Sequence, residues 1–130
     1  MNGDQASGDL QGRRVLIVED GTLLAMELQS VLEEKGCDVL GPVNTVQRAL
    51  ALLEHERPDA ALLDLDLDGQ LSTPVASALS ALHVPFIIVS GYGVSGLAQP
   101  ELRAASHIDK PVDHRVLVQV LSRLCARRLP

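Results

Sequence analysis

A chain of 130 residues with 46% apolar content is long enough for one domain around a single core and too apolar for a disordered segment. Its net charge of −6 argues against nucleic acid as a partner, because phosphate binding needs a basic face. Phe86 and Tyr92 are the only aromatics, which removes the stacking platforms used for single strands.

No apolar run reaches membrane-span length and the N-terminus has no signal-peptide core, so a cytoplasmic protein without membrane contact is expected. Cys37 and Cys125 have neither metal-type nor redox-type spacing and read as two free thiols of a reducing compartment. The four histidines are scattered singly.

Residues 1–12 are polar and rich in Gly, Asp, Ser and Gln, and are expected to form a flexible N-terminal tail ahead of a folded domain at 13–128. Arg14-Val15-Leu16-Ile17-Val18 is a continuous β-branched run that fits a strand buried on both faces, and it ends in Glu19-Asp20. Leu24, Leu28, Val31 and Leu32 recur at helical spacing, with Gly36 as the stop. Asp38–Val43 reads as a short second strand. Asn44, with Gln47 three residues on, predicts the cap of a helix through about Glu56 that turns Ala49, Leu50 and Leu53 inward.

The third strand, about Ala60 to Asp64, is an apolar run that ends in acids at alternate positions, Asp64, Asp66 and Asp68, closed by Gly69. A third helix is expected from Thr73 or Pro74 to Leu82, proline being acceptable in the first turn. Val84–Val89 is the fourth strand and leads through Ser90-Gly91-Tyr92-Gly93 to a short fourth helix near Pro100. Ser106–Asp109 is the fifth strand, ending at Lys110-Pro111. A last helix from about Asp113 to Arg127 carries Leu117, Leu121 and Leu124 inward. Five strands alternating with five helices predict an α/β domain, a five-stranded parallel sheet wound on both faces.

In such a sheet, ligands bind at the carboxyl ends of the strands. Those ends deliver Glu19 and Asp20, Asp64, Ser90 and Lys110. Clustered carboxylates beside a hydroxyl make a hard, oxygen-rich pocket that suits Mg2+, and the lysine is a natural counter-charge for a phosphoryl group.

The set Val18-Glu19-Asp20, Leu62-Leu63-Asp64, Val89-Ser90-Gly91 and Asp109-Lys110-Pro111, in this order and spacing, resembles the receiver domain of two-component response regulators, of stand-alone type, from about Arg13 to Arg128. The resemblance implies a flavodoxin-like fold with sheet order 2-1-3-4-5. It implies Asp64 as the phosphoacceptor, served by a histidine kinase or histidine phosphotransfer protein. It further implies direct Mg2+ binding by Asp20, binding through water by Glu19, and a backbone carbonyl from Asp66. Lys110 would pair with the phosphoryl group, Ser90 would bond one of its oxygens, and the peptide before Pro111 would be cis. Signalling would run by protein contact or phosphorelay to an unknown downstream protein, with a homodimer through the fourth helix, fifth strand and fifth helix as one outcome. Autocatalysis of phosphorylation and dephosphorylation aside, no enzyme is implied.

Three positions depart from the family pattern. Asp68 stands where many receivers carry proline, His107 stands in place of the usual aromatic switch, and no output domain is expected after Arg128. Tyr92, two after Ser90, occupies a position where receivers tune access of the attacking water. The alternative is a haloacid-dehalogenase-like phosphatase, in which Asp66 attacks and Asp68 is the acid-base group. That motif would leave Glu19-Asp20 unexplained. Leu23 and Met26 fall off the inward stripe of the first helix, as either partner-docking or scattered surface residues, and Val116 and Val118 widen the apolar arc of the last helix.

Overall fold

The computed structural model describes residues 10–91 and 106–126. Its elements are β1 (Arg14–Val18), α1 (Thr22–Glu34), β2 (Asp38–Val43), α2 (Val46–Leu53), β3 (Ala60–Asp64), β4 (Asp66–Leu67), β5 (Gln70–Leu71), α3 (Thr73–Ala81), β6 (Phe86–Ser90), β7 (Ser106–Asp109) and α4 (His114–Ala126). The main sheet runs β2-β1-β3-β6-β7 with every pairing parallel. Counting its strands in chain order gives 2-1-3-4-5, the flavodoxin-like order. The helix expected near Pro100, and Tyr92 before it, lie outside the described residues.

The uninterrupted apolar strands follow from having helices on both faces. Successive side chains of a strand point to opposite sides. Val15 and Ile17, Ala60 and Leu62, and Ile87 and Val89 pack on one side with α1 and α4 through Leu28, Leu32, Leu117 and Leu121. Leu16 and Val18, Ala61 and Leu63, and Phe86 and Ile88 pack on the other with α2 and α3 through Val46, Ala49, Val75 and Leu79. Neither face can host a charge without a partner. The first polar residues therefore fall where the strands leave the core.

Helix ends follow their capping chemistry. Gly36 adopts φ +88°, the left-handed conformation that closes α1, with its N–H on the Glu33 carbonyl at 3.0 Å and that of Cys37 on the Leu32 carbonyl at 3.0 Å. At α4, the Asp113 carboxylate accepts the N–H groups of Arg115 (2.9 Å) and Val116 (3.3 Å).

Several expectations shift. The cap of α2 is Thr45 rather than Asn44: its hydroxyl accepts the Arg48 N–H at 3.0 Å, while Asn44 takes the Arg48 guanidinium. That helix ends at Leu53, short of Glu56, and β6 begins at Phe86, after Pro85. Leu10, assigned to the tail, is fully buried in the core, and the Gly12 N–H bonds the Gly36 carbonyl at 2.8 Å, so the folded unit reaches back past Arg13. The stretch after Asp64, for which the sequence predicts no strand, is a small antiparallel ribbon, β4 with β5. Its turn, Asp68 (φ 54°) and Gly69 (φ 85°), has both residues left-handed, as two-residue hairpins prefer. The Lys110–Pro111 peptide is cis as expected, and so is Gly41–Pro42, which the sequence does not announce.

Candidate functional site

Sheet register assembles the site. Val18 pairs with Leu63, so Glu19 stands beside Asp64; Asp64 pairs with Val89 and Ser90 with Asp109, which brings Ser90 and Lys110 to the same edge. Glu19, Asp64 and Lys110 continue the side-chain parity of Ile17, Leu62 and Ile108, the α1–α4 side of the sheet. The Lys110 N–H bonds the Ser90 carbonyl at 2.9 Å, so β7 delivers the lysine at a fixed height.

Glu19 and Asp64 are buried, at 4% exposure each, and Asp20 is more open. Lys110 Nζ lies 3.3 Å from Asp64 Oδ2 and 3.7 Å from Glu19 Oε1. Two backbone donors hold the remaining oxygens: the Gly21 N–H on Glu19 Oε2 at 2.9 Å and the Asp66 N–H on Asp64 Oδ1 at 3.3 Å. The Asp20 carboxylate accepts the Asp68 N–H at 2.7 Å. A pocket of about 140 Å³ opens here, lined by Asp20, Asp64, Leu65, Asp66, Ser90, Gly91 and Lys110.

The electrostatics are those of a site short of positive charge. Burial, and then the neighbouring Glu19 carboxylate, push the Asp64 carboxyl up from 3.8 to about 7, against the opposing pull of Lys110. Burial works against the Lys110 ammonium, but the carboxylates of Asp64 and Glu19 outweigh it and raise its pKa.

The donor set fits a magnesium ion. Ligand oxygens of Glu19, Asp20 and Asp64 lie within 4.8 Å of one another. Glu19 Oε1 is buried without a hydrogen-bond partner among the described residues and meets the Lys110 ammonium only at 3.7 Å, which leaves it open to a metal ion or a water. Hard carboxylate oxygens in an open pocket with room for water are what magnesium takes.

Of the residues singled out from the sequence, Glu19, Asp20, Asp64, Ser90 and Lys110 come together, and Asp66 lines the same pocket. His107 is half-buried on β7 opposite Ile88, on the same side of the sheet as Ser90. Leu23 (83% exposed) and Met26 (59%) project from α1, and Val116 (40%) from α4. Asp66, the attacking acid of the phosphatase-like alternative, stands on the ribbon and not at a strand end of the main sheet, and its Oδ1 is taken by the Gly69 N–H at 2.9 Å. Sequence reasoning missed the ribbon and the amides it gives to Asp64 and Asp20. The signal was Asp68-Gly69, a strong hairpin dipeptide.

Residues 15–122 match the response regulator receiver domain family. The chain is 29% identical to sporulation initiation phosphotransferase F of Bacillus subtilis, over 80% of this chain and 86% of that protein. Other curated relatives are longer, and the chain spans about half the length of most of them, 58% of one and 46% of another. Among solved structures it is similar to SdrG from Sphingomonas melonis (37% identity, TM-score 0.75, covering 89% of this chain and 97% of that one). A second structure, the receiver domain of the Pseudomonas aeruginosa sensor histidine kinase PA1611, holds a magnesium ion in its active site cleft. It shares the fold, with 24% identity and a TM-score of 0.77 over 88% of this chain and 98% of that one. Among the described residues no helix is long and apolar enough to cross a membrane. With its four strand-end motifs gathered in one acidic pocket, the chain belongs to the response regulator receiver domains, the signalling modules of two-component systems and phosphorelays.

Proposed function

We propose that Asp64 accepts a phosphoryl group from a histidine kinase or a histidine phosphotransfer protein, in a reaction that needs Mg2+. The observation that carries this reading is the buried Asp64 carboxylate at the end of β3, flanked by Glu19-Asp20 and 3.3 Å from Lys110. An oxygen of Asp64 attacks phosphorus as the bond from phosphorus to the donor's imidazole nitrogen breaks, and the imidazole leaves with the bonding pair. A carboxylate is a weak nucleophile, so the burden falls on offsetting charge at the phosphoryl oxygens. Lys110, the one cationic residue lining the pocket among those described, meets that charge, and Ser90 donates to a phosphoryl oxygen. Asp20 and Asp64, with Glu19 through water and the Asp66 carbonyl, would hold the metal, which supplies further charge neutralisation when bound.

Intact mass after incubation with Mg2+ and a small phosphodonor is the direct test. The wild type and Asp66→Asn gain one phosphoryl group and Asp64→Asn gains none; label retained in Asp64→Asn sinks the assignment. The decay of the same label reads the tuning role proposed for Tyr92. A ring there hinders in-line approach of water, so Tyr92→Ala shortens the half-life, and an unchanged half-life removes the role.

The output we propose is a changed surface around β7, α4 and the helix expected between β6 and β7, read by a downstream protein or a second copy of the chain. It is supported by His107, which pairs with Ile88 and so lies on the same side of the sheet as Ser90, two residues further along β6; the imidazole would move into the space the hydroxyl leaves on turning to the phosphoryl group. Leu23 and Met26 on α1 are the proposed apolar docking residues for the phosphodonor. Hydrogen exchange should change at 91–107 on phosphorylation. Changes limited to Glu19, Asp20 and Asp64 would instead fit a phosphoryl carrier.

A further inference from the structure

The ribbon after Asp64 is braced at both ends. At its base Ser72, fully buried, gives its N–H (2.9 Å) and its hydroxyl (3.1 Å) to the same Leu65 carbonyl. Leu65 and Leu67 are buried on the α2–α3 side of the core. At its tip the left-handed pair Asp68 and Gly69 reverses the chain, and Asp66 Oδ1 accepts the Gly69 N–H at 2.9 Å. Held in this way, the segment hands alternate amides to the acids of the pocket: Asp66 N–H to Asp64 Oδ1 at 3.3 Å, and Asp68 N–H to Asp20 Oδ2 at 2.7 Å.

We infer that the Asp68–Gly69 turn is a positioning device for Asp20, whose backbone amide fixes that carboxylate for the divalent cation. Asp20 is the most open acid of the three and follows the end of β1, so its own surroundings restrain it least. A charge-assisted bond from a rigid turn removes that freedom before the cation arrives and leaves the second oxygen of the carboxylate available. The donor is an amide and the turn demands positive φ, so the Asp68 side chain is not the active part. Asparagine keeps both properties; proline, with no N–H and φ fixed near −65°, keeps neither. Outer partners of metal-binding groups commonly set affinity by about 10- to 100-fold.

The inference rests on the proposed magnesium site, and the experiment separates the two. Calorimetry with MgCl2 on the wild type, Asp20→Ala, Asp68→Asn and Asp68→Pro is combined with amide exchange by NMR on the metal-free wild type and Asp20→Ala. Asp68→Asn is expected to bind Mg2+ within about threefold of the wild type, and Asp68→Pro about tenfold or more weakly. The Asp68 amide should be protected in the wild type and lose that protection in Asp20→Ala. If the wild type binds no Mg2+, or Asp20→Ala binds it equally well, the metal reading fails. If Asp20→Ala loses the metal while a folded Asp68→Pro matches the wild type, or Asp68→Asn is as weak as Asp68→Pro, the positioning role is overturned. Should Asp68→Pro not fold, the exchange measurement decides, because an Asp68 amide indifferent to Asp20→Ala is not held by it.

Discussion

In metal-free buffer, Asp64→Asn is expected to be more stable than the wild type at pH 8 and to lose that advantage as the pH falls toward 4. The Asp64 carboxyl, held up at about 7 by burial and by Glu19, keeps its proton in the folded state at pH values where the unfolded chain, near 3.8, has released it. A group raised in this sense contributes stability that is complete below about 4 and lost as the pH rises through about 7. A rise from 3.8 to about 7 corresponds to at most roughly 4 kcal/mol between the two ends of the window, since each pH unit is worth about 1.4 kcal/mol. Urea unfolding of both proteins at pH 4, 6 and 8 measures it. A difference independent of pH would mean that neither burial nor the Glu19 carboxylate raises the Asp64 carboxyl in the folded state. Adding Mg2+ at about 100 times its dissociation constant should return about 2.7 kcal/mol to the wild type at pH 8, and less to Asp64→Asn.

Replacing Lys110 by alanine should have the largest effect on chemistry short of removing Asp64 itself. The ammonium faces both buried carboxylates, at 3.3 and 3.7 Å, and is the pocket's own cation among the described residues. Without it, charge developing on the phosphoryl oxygens loses a fixed partner, and the rate of labelling at saturating phosphodonor should fall by about 100-fold or more. The same change leaves Glu19 and Asp64 facing each other uncompensated, at a cost of roughly 1–2 kcal/mol at pH 8, the ammonium being about one-third exposed. That cost should shrink at pH 5, where the Asp64 carboxyl is protonated. A labelling rate within a few-fold of the wild type would show that the lysine serves only the ion pair.

The strands that carry the site were legible because their burial is extreme. Val15–Val18, Ala60–Leu63 and Phe86–Val89 touch helices on both faces, so no polar residue interrupts them, and the first polar residue after each (Glu19, Asp64 and Ser90) marks where the core ends. The family resemblance then told which of those residues belong together. Less visible were features settled by distant or backbone groups. Leu10 is an isolated apolar residue among polar neighbours, and only packing against the rest of the core distinguishes it from a tail residue. Asn44 and Thr45 are both good caps, and the small intrinsic preference for asparagine is overridden here by where the chain enters the helix. The ribbon's strands are two residues each, too short for an alternating pattern to register, leaving the Asp68-Gly69 dipeptide as the sole sign. The bond from Asp68 to Asp20 spans 48 positions and uses an amide that every residue but proline owns.

The pocket draws on β1, β3, β6 and the end of β7, with Asp64 and Lys110 separated by 46 positions. No local fragment of the chain can assemble it, and a collapsed chain with shifted strand register would separate Glu19 from Asp64. Competence at this edge is therefore a census of correctly registered molecules. Under the proposed chemistry, the fraction of a sample that takes up a phosphoryl group counts its native population one molecule at a time. Truncated Leu62 or Ile87 variants, or refolding time courses, could be ranked by this count with no spectroscopic handle, which suits a chain without tryptophan.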